Sequence, residues 1–378
     1  MNVDVVASAI EPEAILPRGD TPRAFTTNGG RWVVWHAADV ERLLRTDAAV
    51  MGFTPSLGDP AQEIQGRMAR FSDGPEHERR RAIAVAALDV IDAARLGRRA
   101  AHLTRDAIAG ASRVDVMALA GRIPLVVLAE ALDLPRGEEA LAAIESLCQR
   151  LTPRLDDPVR PDPTTVAAAL TTAYGPPDER TVNVASLLFQ ARDATAGLIG
   201  IAAHRLLGEP DRTGPITAEI IERIDRAEPA VQLTTRTTTR ELAFGDVVVP
   251  AGGTVVVWLA AANGQSAAAG SRQGAGPEGA GSEDDGSKSH HDRATPSFSF
   301  GAGPHACPGR SLALEIAAGV LRAVMDRGAR MVGDVLYEPR PNLRIPMEIV
   351  VELAPAGPPG PGPIATDDRT PPDERGAK

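Results

Sequence analysis

Residues 298–315 read Phe-Ser-Phe-Gly-Ala-Gly-Pro-His-Ala-Cys-Pro-Gly-Arg-Ser-Leu-Ala-Leu-Glu, and they decide how the rest of the chain is interpreted. Glycine and proline dominate the first part, which predicts a loop, and the apolar spacing that follows predicts a helix. Cys307 therefore stands at a helix N-terminus, where the helix dipole and free amide groups stabilise a thiolate. Taken alone, such a residue is also compatible with a buried structural cysteine beside a turn.

This loop resembles the heme-binding signature of the cytochrome P450 family at Phe300, Gly303, His305, Cys307 and Gly309. In that family a cysteine thiolate holds the heme iron. The resemblance implies that Cys307 is the metal ligand of heme b (iron protoporphyrin IX), that Phe300 packs near its sulfur and that His305 reaches a heme propionate. The resemblance also implies that Gly301 and Gly309 belong to the cofactor-binding loop.

The resemblance extends over about residues 29–353 and implies a mainly α-helical cytochrome P450 fold with a small β region. We assign residues 1–353 to a single large heme domain. Within it, residues 264–295 are rich in Gly, Ala and Ser and replace the family's meander, and we expect them to be flexible because they bury too little apolar surface. Residues 354–378 repeat Pro and Gly and are predicted to form a disordered tail.

His77 and Arg81 are four residues apart and therefore lie on one face of a predicted helix. Two adjacent donors of this kind suit a carboxylate, although a solvated basic face is the alternative. The family's corresponding helix uses a matching pair on a heme propionate. Arg236 also matches a family position, and the resemblance implies that it binds the other propionate.

Residues 185–200 resemble the family's long central helix, which crosses the oxygen side of the heme. By that resemblance Asp193 is the acid that relays protons. Ala194 occupies the position of the family's alcohol, whereas Gln190 replaces a small residue. Thr195 lies one residue further on, about 100° around the helix, and is expected to point to a different face.

Residues 222–226 stand where the family carries Glu-x-x-Arg. Arg226 fits the arginine, but Arg223 occupies the place of the glutamate. Glu222 is adjacent, and we expect its side chain to point away from the partner that the family's glutamate would bind. Both sides of that ion network are therefore altered together, because the meander is missing as well.

The bulk properties exclude several classes of protein. The chain has 378 residues, 43% of them hydrophobic, and a formal charge of −10, which argues against nucleic acid as a partner. Its two cysteines form no disulfide framework and suit a reducing compartment. No apolar run is long enough to cross a bilayer. The sequence therefore predicts a cytoplasmic protein without a membrane partner.

The leading hypothesis is a monooxygenase that oxidises a secondary metabolite, either a small molecule or a carrier-bound one. It would use molecular oxygen and electrons from a ferredoxin and a ferredoxin reductase. One alternative is an enzyme that couples phenols or other aromatic rings oxidatively, because some relatives of that type also lack the central alcohol. Another is a heme-binding regulatory protein with little catalytic activity, which the departures at Gln190 and Arg223 and the missing meander favour.

Overall fold

The structure is a computed structural model, and it describes residues 22–27, 29–157, 159–209, 214–265 and 297–355. Most of the predicted flexible segment and of the predicted tail lies outside these ranges. Within them, no helix is both long enough and apolar enough to cross a bilayer.

α-Helices form most of the described chain, as the sequence predicts. The helices are Ala37–Arg45, Pro60–Gly66, Gly74–Asp89, Ala93–Ala107, Val116–Ala131, Glu138–Leu151, Pro163–Tyr174, Glu179–Leu207, Ala218–Ala227 and Arg310–Asp326.

The longest of these, Glu179–Leu207, is called the central helix below and has 29 residues. It begins where the side chain of Asp178 accepts a hydrogen bond from the backbone N–H of Thr181, which satisfies one of the free amides of the first turn. Other elements pack closely around it: a Cβ atom at Gly200 would lie 2.6 Å from the sulfur of Met117. The predicted helix over residues 185–200 is confirmed and extends beyond both ends.

The helix Arg310–Asp326 follows the cysteine loop (residues 297–309) and is called the cysteine helix. It crosses the helix Ala93–Ala107 with backbone against backbone, because glycines face each other there. A Cβ atom at Gly319 would lie 2.1 Å from the carbonyl oxygen of Gly97. One at Gly97 would lie 2.7 Å from the carbonyl oxygen of Glu315. This crossing fixes the cysteine helix against the helical core.

The strands form a minor β portion, which confirms the predicted fold class. One sheet has the order β1-β2-β8-β5-β3, in which only β2 and β8 pair in parallel. A second sheet has the order β4-β10-β9, and β6 and β7 form a hairpin. The strands are β1 Ala24–Thr26, β2 Trp32–Val34, β3 Ala49–Val50, β4 Arg113–Asp115, β5 Leu233–Thr238, β6 Leu242–Phe244, β7 Val247–Val249, β8 Thr254–Trp258, β9 Arg330–Met331 and β10 Val350–Glu352.

The first residues of the predicted flexible segment and of the predicted tail are packed against the rest of the chain. Residues 259–265 are helical, and the side-chain oxygen of Gln265 accepts a hydrogen bond from the backbone N–H of Ala37 at 2.9 Å. The start of the predicted segment at residue 264 is therefore wrong. At the other boundary, the N–H of Ala354 donates to the carbonyl of Arg327 at 2.9 Å, so residue 354 still belongs to the packed chain.

The glycine crossing makes a prediction about stability. Gly319→Ala should lower the free energy of unfolding by about 1–3 kcal/mol, because the new methyl group meets backbone that cannot move aside. Gly121→Ala is the matched control: it lies inside the helix Val116–Ala131 with no neighbouring atom within 4 Å of its Cβ position, and it should stabilise by about 0.4–1 kcal/mol. Urea unfolding measures both, and midpoints that move in the same direction would contradict the packing.

Candidate functional site

A large cavity lies between the central helix, the helix Gly74–Asp89, strand β5 and the cysteine loop. Its empty volume is about 1520 Å³, counting space that is open to solvent. The predicted site residues that line it are His77, Arg81, Gln190, Ala194, Thr195, Arg236, Phe300, Gly301, His305, Cys307 and Gly309. The fold therefore gathers into one cavity residues that are far apart in the sequence.

The cysteine loop closes on itself by a hydrogen bond from the N–H of Cys307 to the carbonyl of Phe300, at 2.7 Å. Gly301 and Gly303 have φ angles of 68° and 66°, which L-residues with a side chain adopt rarely. At Gly303 a Cβ atom would also lie 2.6 Å from the carbonyl oxygen of Leu44. By contrast, Gly309 has φ −96° and nothing nearer than 3.7 Å to its Cβ position, so its backbone does not require glycine.

The helix Ala218–Ala227 holds the cysteine loop through a buried acid. The carboxylate of Asp225 accepts a hydrogen bond from the hydroxyl of Ser299. Its pKa is raised by burial, and hydrogen bonds from Ser299 and Ser297 oppose that shift only in part. Asn263 holds the same end of the loop, because its side chain accepts from the N–H of Phe298 at 2.7 Å and donates to Ser297 at 2.9 Å.

Glu222, one turn before Asp225, pairs with Arg310 at the start of the cysteine helix and with Arg226 at 3.4 Å. The prediction that Glu222 points away from this network is wrong, because a four-residue step brings Glu222 and Arg226 onto one helix face. The carboxylate of Glu222 is therefore shared between Arg226 and Arg310. Accordingly, the buried Nε atoms of Arg226 and Arg310 have no hydrogen-bond partner among the described residues.

Cys307 is an exposed residue that lines the cavity. Burial raises the pKa of this thiol above its ordinary value. A hydrogen bond from the backbone N–H of Gly309 and the charges of Arg70, Arg81 and Arg310 act in the opposite direction. The helix N-terminus thus favours the thiolate as predicted, but in the protein alone burial outweighs it.

Four donors predicted to bind propionates lie together on this cavity: His77, Arg81, Arg236 and His305. The rings of His77 and His305 stack with centroids 4.0 Å apart. Arg81 donates to the carbonyl of Ala306 at 2.7 Å, and Arg236 donates to that of Thr235 at 2.8 Å.

The two histidines are neutral at pH 7. Burial, with the neighbouring positive charges, lowers the pKa of His305 to about 3, and burial and Arg81 also lower the pKa of His77. They can therefore donate hydrogen bonds to an anion, while the arginines carry the positive charge.

The central helix lines the cavity with one continuous face. Ala191, Ala194, Thr195 and Leu198 follow the spacing of that face, and Gln190 borders it. The expectation that Thr195 points elsewhere is wrong, because a face wide enough to line a cavity includes two adjacent positions. Thr195 is the one hydroxyl residue among the central-helix positions that line this cavity in the described chain.

Asp193 does not line the cavity. Its carboxylate receives Arg340 at 2.8 Å, Arg192 at 2.6 Å and the hydroxyl of Thr152 at 3.3 Å. Proton relay by Asp193 stays a prediction, and in this structure these contacts hold its carboxylate outside the cavity. The side chain fixes the central helix to Arg340 and Thr152, and two arginines leave it no free charge to offer.

The whole arrangement was compared with known proteins. No protein-family model and no curated protein sequence matches the chain. Solved structures do match over nearly its full length. CalO2 is 22% identical with a TM-score of 0.71, covering 93% of this chain and 100% of its own. P450BioI, solved with an acyl carrier protein that carries hexadec-9Z-enoic acid, is 18% identical with a TM-score of 0.68 and covers 85% and 92%.

A third structure is "the cytochrome P450 enzyme CxnD for C-S bond formation in chuangxinmycin biosynthesis", at 18% identity, TM-score 0.63 and coverage of 86% and 89%. The chain has the cytochrome P450 fold. The predicted fold class is thereby confirmed, and the cavity beside Cys307 lies within a fold whose solved examples include enzymes.

One cavity residue of this P450 fold escaped the sequence interpretation. Arg70, on the short 3-10 turn Ala69–Phe71, projects into the cavity beside Arg81 and Arg236. Its position directly before the stretch that carries His77 is the one sequence feature that could have indicated a role for Arg70. A lone arginine in a polar stretch gives no indication of its direction, so only the folded chain reveals it.

The contact between Asp225 and Ser299 can be tested by two variants. Asp225→Asn removes the buried charge and keeps an oxygen for Ser299, so the free energy of unfolding at pH 7 should change by less than about 1 kcal/mol. Asp225→Ala removes the acceptor and should cost about 1–3 kcal/mol. Urea unfolding distinguishes them, and equal losses in both variants would contradict this role.

The same pair makes a prediction about pH. Because the folded carboxyl has the raised pKa, the folded state binds its proton at higher pH than the unfolded state does, and this contribution to stability is lost as pH rises through the folded pKa. In Asp225→Asn, the free energy of unfolding should no longer fall as pH rises through this pKa. Asp89→Asn, at an exposed acid, should keep the pH dependence of the wild type.

Proposed function

We propose that the protein is a cytoplasmic heme-thiolate monooxygenase acting on a secondary metabolite. The observation that carries the proposal is the position of Cys307, whose sulfur faces a cavity bordered by arginines and by two neutral histidines. In the overall reaction, oxygen, two electrons and two protons convert a substrate C–H bond into C–OH and release one water.

The residues present fit heme. Heme iron takes one thiolate from the protein, and the described chain has no group of three His, Cys, Asp or Glu side chains that could hold a metal ion without a macrocycle. Arg81 and Arg236 would balance the two negative charges of the propionates, while His77 and His305 would add hydrogen-bond donors. The chemistry that heme supplies when bound is the reductive activation of molecular oxygen.

The chain's own contributions are positioning and charge. Asp225 and Asn263 hold the loop so that the sulfur of Cys307 stays directed into the cavity. The central helix presents Ala191 and Ala194, whose small side chains leave room above that sulfur for a ligand. The hydroxyl of Thr195 and the amide of Gln190 are the groups on this face that can hold water and pass protons.

The electron donor and the substrate are proposed by analogy with other proteins of this fold. A P450 of this type takes its electrons from an external protein, and we propose a ferredoxin reduced by a ferredoxin reductase. The similar P450BioI was solved with a carrier-bound acyl chain, and CxnD acts in the biosynthesis of chuangxinmycin. These similarities support a substrate from secondary metabolism.

The proposal is tested first by its heme ligand. The purified protein, reduced and exposed to carbon monoxide, should show the red-shifted Soret band of thiolate ligation, and Cys307→Ser should abolish that band because an alcohol does not replace the thiolate. Cys148→Ser is the control, since Cys148 is buried away from the cavity. A wild-type band in Cys307→Ser would contradict the assignment.

Catalysis itself is tested by electron transfer. With a surrogate ferredoxin and its reductase, the wild type should consume reduced nicotinamide in the presence of oxygen. Heme loading without any such consumption would favour the regulatory alternative.

A second candidate, oxidative coupling of aromatic rings, is favoured by the position of Asp193. Because that acid is bound by Arg340 and Arg192 away from the cavity, the central helix offers no carboxylic acid there. A substrate that carries its own hydroxyl could supply the proton that a carboxylic acid on this helix would otherwise deliver. Isotopically labelled oxygen separates the candidates, since monooxygenation places one labelled atom in the product and coupling places none.

Thr195 and Ala194 provide the prediction on proton delivery. Thr195→Val should raise the fraction of reducing equivalents released as hydrogen peroxide several-fold, because it removes the one hydroxyl of this helix face. Ala194→Thr should lower that fraction, since it adds a hydroxyl to the same face. Peroxide and nicotinamide are measured in one assay, with Thr181→Val at the far end of the central helix as control. No change in either cavity variant would exclude this route.

A further inference from the structure

Arg70 brings a third guanidinium to the cavity, and this one has no anion to pair with. Arg70 is an exposed residue that lines the cavity, and the protein atoms around its side chain lower its pKa. Within the described chain it makes no hydrogen bond or ion pair that balances its charge, and its one ring contact is with Phe71, at 5.7 Å. A guanidinium carries five hydrogen-bond donors, and those of Arg70 are available to a ligand in the cavity.

The one neighbouring charge that favours the protonated form of Arg70 is that of Cys307, which heme iron would take up. Arg236 shares the cavity, and burial together with the charge of Arg70 lowers the pKa of Arg236 to about 10. Asp73 raises the pKa values of Arg236 and His305, but its carboxylate is bound to the backbone of residues 51 and 52 and does not line the cavity. The one carboxyl group among the described lining residues is Asp225, which is bound to Ser299.

Bound heme would leave this excess in place, and here the inference rests on the proposed function. The ferric porphyrin core has one positive charge, which the Cys307 thiolate cancels. The two propionates then match Arg81 and Arg236. Arg70 remains as one unmatched positive charge, and the cavity therefore has a place for one further anion.

The rest of the lining near Arg70 indicates the shape of that anion. Met51, Leu187, Ala191 and Val231 line the same cavity and are apolar. An anion that enters must therefore combine one negative group with an apolar body. Planar, bidentate pairing with a carboxylate is the geometry that a guanidinium favours.

We propose that Arg70 binds the carboxylate of the substrate, so that the protein acts on a free carboxylic acid with an apolar body. Arg70 sets which substrates bind and how they lie relative to the central helix. An acid joined to a carrier through that same carboxyl group has no charge to offer and is disfavoured.

The test compares matched acids and amides. Heme-loaded wild type, Arg70→Gln, Arg70→Lys and the exposed control Arg105→Gln are titrated calorimetrically with 4-phenylbutanoate, octanoate and the corresponding amides. Loss of a charge-assisted hydrogen bond should weaken acid binding to Arg70→Gln by about tenfold to a hundredfold. Amide binding should change by less than about twofold, Arg70→Lys should retain part of the preference, and Arg105→Gln should behave as the wild type does.

Heme retention under mild denaturant separates the two sources of carboxylate. Arg70→Gln should keep its heme as the wild type does, whereas Arg236→Gln should lose it. If Arg70→Gln loses heme like Arg236→Gln, Arg70 serves a propionate and the inference is overturned.

Equal wild-type affinities for acid and amide, or no saturable binding of either acid up to millimolar concentration, also overturn it. If either result is obtained with a protein that binds heme normally, only the substrate proposal fails and the proposed function is unaffected. A wild type that takes up no heme overturns the proposed function itself.

Discussion

The site depends on the hydrogen bonds that close and anchor the cysteine loop. The N–H of Cys307 donates to the carbonyl of Phe300, and Asp225 and Asn263 bind the loop from outside. Each of these contacts joins residues that lie far apart in the chain, except the first. A thiol on an unanchored loop would turn away from an apolar cavity toward water, so the direction of the sulfur is a tertiary property. The left-handed glycines Gly301 and Gly303 make that direction possible, and the buried acid maintains it.

The cavity offers an anion both positive charges and neutral hydrogen-bond donors. Three arginines supply the permanent positive charge, and the two histidines remain neutral donors because burial opposes their protonation. The same low polarity that neutralises the histidines strengthens every pairing an arginine makes. Opposite this cluster, the central helix offers apolar and amide groups together with one hydroxyl. The cavity thus has a cationic wall and a weakly polar wall, and a bound molecule would be oriented between them.

Much of this could be predicted from the sequence. The family resemblance implied the fold class and the gathering of His77, Arg81, Arg236 and His305, and the apolar spacing predicted the helix after Cys307, because helical periodicity is a local property. The direction of single side chains was not predictable in the same way. Asp193 matched a family position, yet Arg340, 147 residues further along, removes it from the cavity. Glu222 has one partner on another helix, Arg310, which the sequence could not indicate, whereas its local partner Arg226 could have been inferred from the four-residue step. Arg70 stands alone in a polar stretch, so its direction depends on the folded chain.

The facing glycines of the helices Ala93–Ala107 and Arg310–Asp326 have a consequence for how the chain can change over evolution. With backbone touching backbone at Gly97 and Gly319, the two helices share one fixed separation that no side chain can adjust. The first residue of the second helix lies three positions after Cys307, so that separation also sets how far the sulfur reaches into the cavity. Substitutions in the cavity walls can therefore leave the depth of the thiol unchanged, because that depth depends on the two glycines and not on the lining side chains. The shape of the cavity and the position of the thiol are then independent of each other.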